Sequence, residues 1–206
     1  MNQRLIYVMG PSGAGKDSVL GWLREHLPAG LPVHWAQRTI TRPVTAKGEV
    51  HEEIDNANFV DLQNQGQFAL TWQANGLHYG VRHNELKALQ QGHWVLVNGS
   101  RGHLHHAQQS HPGLQVVHIT ADSATLMQRL TARQRETPDQ IRQRIERANA
   151  FAVPHAAIQI FNNGTLDEAG HKLLLALNNL EDWPAKLMSA ASMGEQSQIA
   201  PTLLEL

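Results

Sequence analysis

The chain has 206 residues, 41% of them hydrophobic and 17% charged, enough to build the core of one ordinary domain and too apolar for a disordered one. A formal net charge of −1 gives no broad electrostatic case for nucleic acid or an acidic membrane as partner, so any anion must be met by local clusters. The absence of cysteine excludes disulfides and thiolate metal sites; with no signal-like or membrane-length apolar stretch, a soluble, cytoplasmic protein is expected.

In chain order, "RLIYVMG" (4–10) is an apolar run rich in β-formers, as a buried parallel strand should be. It runs into "GPSGAGKDSVL" (10–20), after which Val19, Leu20, Leu23 and Leu27 recur at helical spacing. Residues 38–82 are polar and carry short β-like pieces, "FALTW" (68–72) and "LHYGV" (77–81), joined by a turn at Asn75-Gly76. They read as a small subdomain inserted between core elements. "WVLVNG" (94–99), "LQVVHIT" (114–120) and "AIQIF" (157–161) are further strands, with helices over 123–133, 138–151 and about 166–180. Strands alternating with helices predict an α/β fold of three layers around a parallel central sheet. The polar link "QRET" (134–137) joins two Arg-rich helices, so a lid is expected over about 133–144. The division expected is a domain over 1–184 and a loosely structured tail over 185–206.

The chemistry is concentrated in the loop Gly10, Pro11, Ser12, Gly13, Ala14, Gly15, Lys16, which has the Gly-x-x-x-x-Gly-Lys spacing between a strand and a helix. Backbone N–H groups of residues 12–17 would face phosphate oxygens, with Lys16 bridging the β- and γ-phosphates of ATP. The next position should be a Ser or Thr hydroxyl on Mg²⁺, yet it is Asp17, followed by Ser18. The strand at 94–98 ends in Asn98, where many P-loop enzymes place an Asp that helps hold Mg²⁺. A carboxylate is thus missing from one expected place and present at another. Asp17 is expected to supply a hard oxygen to Mg²⁺, with Ser18 as the alternative ligand, leaving Asn98 and Arg101 to face the acceptor. Arginines gather at the presumed lid (129, 133, 135, 142, 144 and 147) and in the inserted segment (Arg38 and Arg42, with Lys47 beyond). Most lid arginines read as a solvated helix face; some would stabilise a transferring phosphoryl group. The histidines of "HLHHAQQSH" (103–111) lack a carboxylate to complete a metal site and read as structural.

These residues resemble the guanylate-kinase-like branch of the P-loop kinases over nearly the whole chain. "GPSGAGK" is similar to that family's loop, "TITRP…GEV…NFV" to its acceptor-binding stretch, "NGLHYGV" to its small-domain hairpin and "RL..R…I..RI..A" to its lid. The resemblance implies an acceptor-phosphate role for Arg42, an acceptor-site role for Tyr79, lid roles for Arg133 and Arg144, and a position near adenine for Asn162. It also implies two carboxylates that hold guanine, and here the chain departs. No Asp or Glu lies between Asp61 and Glu85, or between Glu85 and Asp122, so guanine's N1 and N2 donors would go unmet. "GKDS", "LVNGSRGHL" and "ANGLHYGV" resemble one subgroup, the ribose 1,5-bisphosphate phosphokinases of phosphonate degradation. That implies transfer from ATP to a sugar phosphate, forming 5-phosphoribosyl 1-diphosphate (PRPP). A nucleoside monophosphate kinase of altered base specificity and a non-catalytic binding module are the alternatives, and a homodimer is left open.

Overall fold

The first strand decides the architecture. Leu5, Tyr7 and Met9 pack on one side with Val95, Val97 and Val116, while Ile6 and Val8 pack on the other with Val19, Leu23 and Leu173. All five strand residues are fully buried, so successive side chains enter two cores and the strand must be covered on both faces. The computed structural model, which describes residues 4–44, 49–134 and 136–185, shows that arrangement. The tail beyond 185, Arg135 and Lys47 lie outside the described residues.

Strand β1 (Leu5–Met9) leads through the glycine loop into α1 (Lys16–His26), then come β2 (Val33–Trp35) and β3 (Arg38–Ile40). The inserted stretch continues with β4 (Glu52–Glu53), α2 (Asn56–Asn64), β5 (Phe68–Ala74) and β6 (Leu77–Arg82). The chain returns through β7 (Trp94–Asn98), α3 (Leu104–Ser110), β8 (Gln115–Thr120), α4 (Ser123–Ala132), α5 (Pro138–Asn149), β9 (Ile158–Phe161) and α6 (Leu166–Asn178). A five-stranded sheet runs β2-β7-β1-β8-β9 with every pairing parallel. A four-stranded mixed sheet runs β4-β3-β6-β5.

Helices α1 and α6 cover one face of the main sheet through Trp22, Leu23, Leu173 and Leu177. On the other face, α3 and the small sheet share a single apolar cluster with it, through Leu104, Ile40, Leu70, Trp72 and Val81. A third cluster, Leu126, Leu130, Ile141 and Ile145, joins α4 to α5 and reaches Ala14 of the glycine loop. The lid helices therefore rest on the loop they overhang. Between them the chain turns at Gln134, which has φ 51, and α5 starts with a capping box from Thr137 and Gln140 and with Pro138 in its first turn.

Several elements exceed the sequence reading, among them β3, β4 and α3. Strand β2 is three half-buried residues, α2 buries only Phe59 of its nine, and a nine-residue 3₁₀ segment spans His83–Gln91. None carries enough apolar periodicity to announce itself.

Candidate active site

The carboxyl ends of β1 and β7 open into a cavity of about 1300 Å³, walled by the glycine loop, the small sheet and the lid. Of the residues given a binding or catalytic role in the sequence, all but Ala14, Arg101 and Asn162 border it. The loop geometry follows from its glycines. Gly13 and Gly15 have φ 92 and 77, left-handed values that other residues reach only with strain. At Gly15 a Cβ would also lie 2.5 Å from the Asn162 amide nitrogen. Asn162 is buried and donates that amide to the Ala14 carbonyl at 2.9 Å. It braces the loop from beneath and does not line this cavity; the family resemblance implied a position near adenine.

At the loop's end Lys16 and Asp17 enter a polar network whose centre is Asn98. Lys16 Nζ donates to Asn98 Oδ1 and lies 3.2 Å from Asp17 Oδ1. The Asn98 amide nitrogen donates to Asp17 at 2.8 Å and to Glu49 at 3.2 Å. Glu49 in turn accepts from Arg38 through both guanidinium edge nitrogens, Nε at 3.0 Å and Nη2. Such two-point ion pairs fix orientation as well as charge. Burial pushes the Asp17 carboxyl up, but Lys16, the Asn98 amide and Arg38 outweigh it and hold the group at about 2. Burial pushes the Lys16 ammonium down, opposed by the Asp17 and Glu49 carboxylates. Asp17 is therefore ionised at neutral pH, and its side chain is 58% exposed at the cavity mouth beside exposed Ser18. A charged, accessible hard oxygen next to a hydroxyl fits Mg²⁺.

The opposite wall is built on β3, β5 and β6. Tyr79 stacks on Trp72, with centroids 5.5 Å apart and planes 2° from parallel, and the Arg38 guanidinium lies 5.2 Å from the Tyr79 ring centroid. Arg42 borders the cavity from the loop after β3. From the lid come Arg133, which follows α4, and Arg144 on α5. Arg144 pairs with Glu136 and donates to Asn75 Oδ1 at 3.2 Å, which ties the lid to the β5–β6 turn. Arg142 and Arg147 face solvent, the first paired with Asp139, the second bonded to the Gln143 carbonyl. Arg101 faces away from the cavity. Its guanidinium donates to the Ala148 carbonyl at 3.4 Å and lies over the Phe151 ring; burial and Arg147 pull it down from the ordinary arginine value.

Sequence reasoning passed over Glu49 and Trp72 as site residues. Glu49 stood inside the "GEV" stretch, but nothing in one sequence reveals that a loop glutamate reaches both a β3 arginine and a β7 asparagine. The turn after β7 had a partial signal in its glycine, and it is held by Tyr7, whose hydroxyl donates to the Ser100 carbonyl at 2.9 Å and accepts from the Ser100 N–H at 2.8 Å.

Comparison with known proteins places this geometry in context. The chain is 46% identical over 176 residues to the ribose 1,5-bisphosphate phosphokinase PhnN of Laribacter hongkongensis, a match covering 85% of this chain and 43% of that protein. It is 43% identical over 180 residues to the PhnN of Burkholderia mallei, covering 86% of this chain and 97% of that one. The chain thus spans less than half of the Laribacter relative and nearly all of the Burkholderia one. Among solved structures, a guanylate kinase from Anaplasma phagocytophilum superposes with a TM-score of 0.63 at 16% identity, over 87% of this chain and 88% of that one; this likeness shows the P-loop kinase fold. No family model matches the chain.

Proposed function

Because the chain belongs to the ribose 1,5-bisphosphate phosphokinase family, we propose that it transfers the γ-phosphoryl group of ATP to ribose 1,5-bisphosphate. The products are PRPP and ADP, in phosphonate catabolism. The observation that carries this reading is the make-up of the acceptor wall. Strands β5 and β6 and the end of β7 present Trp72, Ala74, Leu77, Tyr79, Asn98, Gly99 and Ser100 to the cavity and no carboxylate. Glu49 and Glu85, carboxylates that border the cavity beside this wall, are both engaged, Glu49 by Arg38 and Asn98 and Glu85 by His34 and the Gln37 N–H. A guanine would find no unengaged carboxylate on this wall for its N1 and N2 donors, whereas Arg38, Arg42, Arg133 and Arg144 suit an acceptor rich in phosphate.

The attacking oxygen of such an acceptor belongs to a phosphate and is already ionised near neutral pH, so no side chain has to remove a proton. The loop amides and Lys16 position the ATP phosphates, and Arg133 and Arg144 offset the negative charge spread over the transferring group. Asp17, with Ser18 beside it, would hold Mg²⁺, which when bound neutralises phosphate charge. Asn98, facing both halves of the cavity, sets the spacing between Lys16 and the acceptor side.

The test is ³¹P NMR of the protein with MgATP, comparing ribose 1,5-bisphosphate and GMP. A sugar-linked diphosphate appearing with ADP, and no reaction with GMP, is the expected result. Formation of GDP would show that guanine is held without a carboxylate and would replace this reading with a nucleoside monophosphate kinase. Silence with both acceptors would remove it.

A further inference from the structure

Glu49 lies on the loop between β3 and β4, outside regular structure, yet its side chain is only 18% exposed and the paired Arg38 side chain 9%. A buried ion pair on a loop is costly unless its geometry is over-determined, and here it is. His51 is itself buried, and its ring nitrogens lie 2.9 Å from the Glu49 carbonyl and 2.9 Å from the Arg42 carbonyl, so the imidazole is wedged between the two ends of the segment that delivers Glu49 and its N–H donates to one of them. The Glu49 carboxylate then takes two guanidinium nitrogens of Arg38 and the amide of Asn98. Through Asn98 it reaches Asp17 and Lys16. One carboxylate thereby joins the side of the cavity that carries Tyr79 to the side that carries the glycine loop.

We infer that Glu49 is a positioning residue for the transfer: it fixes the Arg38 guanidinium over Tyr79 for the acceptor phosphate and fixes which way the Asn98 amide points. This deepens the phosphotransferase reading and rests on it. The Asn98 orientation follows from the partners. Its oxygen meets the donor-only Lys16 ammonium and its nitrogen meets two carboxylates. A glutamine at position 49 could keep the volume, but one charge of the Arg38 pair would be gone. Its own amide donor could then face the Asn98 donor, and an Asn98 amide turned over would direct N–H groups at Lys16.

The experiment compares Glu49→Gln and Glu49→Asp with the unaltered chain, using steady-state kinetics for each substrate and the dissociation constant of ATP measured directly. For Glu49→Gln, kcat is expected to fall at least ~30-fold and acceptor KM to rise at least ~5-fold, while ATP affinity stays within ~3-fold. Glu49→Asp keeps the charge but loses reach, and its kcat should lie between the two. In a double-mutant cycle with Asn98→Ala the losses should fail to multiply, because both act on one network. Equal loss of ATP and acceptor binding would indicate a merely structural role and overturn the inference, as would Glu49→Gln turning over within ~3-fold of the unaltered chain. If Glu49→Gln does not fold, Glu49→Asp carries the same comparison. If the unaltered chain transfers to no acceptor, the phosphotransferase reading fails separately, and inorganic phosphate binding becomes the readout. About tenfold weaker binding in Glu49→Gln supports Glu49 as the residue that fixes Arg38; equal or tighter binding removes it.

Discussion

At the scale of single residues, the site exchanges an acid and an amide between two touching positions. Asp17 stands where a hydroxyl is usual and Asn98 where a carboxylate is usual, and they share a 2.8 Å hydrogen bond. The negative charge has moved about one side chain's width while the network around Lys16 remains closed. Turnover in Asp17→Ala is accordingly expected to lose most of its Mg²⁺ dependence, at ~10²-fold lower kcat, and Asp17→Ser to recover part of both. A magnesium titration of activity is the check, and an unaltered Mg²⁺ requirement in Asp17→Ala would assign the ion to Ser18. The unusual Asp17 was visible in the sequence because the glycine-loop spacing fixes what position 17 must face. Glu49 was not, since its partners Arg38 and Asn98 are 11 and 49 positions away and only the fold brings them together. Arg101 shows the mirror case of a placement set by the fold. It follows the β7 turn in sequence, but its guanidinium finds the end of α5 first.

At the scale of elements, the legible pieces were those with a local cause. The β5–β6 hairpin was written in Asn75-Gly76, whose φ values of 52 and 75 are those of a two-residue type I′ turn. Strand β2 and helix α2 were illegible because their burial is set by neighbours. The hairpin turn also serves the lid, since Asn75 accepts from Arg144. Replacing Asn75 by Gly keeps the left-handed turn at no steric cost and deletes the latch. Global stability of Asn75→Gly is therefore expected to stay within ~0.5 kcal/mol, while amide exchange speeds up over the first turns of α5. Asn75→Ala separates the two effects, because it loses the latch and adds ~1 kcal/mol of left-handed strain. Exchange over α5 that does not change in Asn75→Gly would show that Glu136 and the α4–α5 apolar cluster hold the lid without help from the hairpin.

At the scale of the whole molecule, the main sheet carries a titratable group in its interior. His118 sits on β8, 4% exposed, with neither ring nitrogen bonded to a partner among the described residues and Phe151 6.0 Å away. Burial, with Arg101 adding repulsion, pushes the imidazole down to about 4. In the unfolded chain it would titrate near 6.5. Above 6.5 both states are neutral and the group leaves stability independent of pH. As pH falls from 6.5 towards 4, the unfolded chain takes up the proton and the folded chain does not, so stability is lost at up to ~1.4 kcal/mol per pH unit. His103 and His111 are also pulled down by burial and act with the same sign. Denaturant midpoints measured at pH 7.5, 6 and 5 should therefore fall in that order. His118→Phe, which fills the site without a proton to bind, should fall less steeply between pH 6 and 5 than the unaltered chain. Equal slopes for the two would mean that His118 is protonated in the fold after all, with Arg101 shifting away to admit the charge.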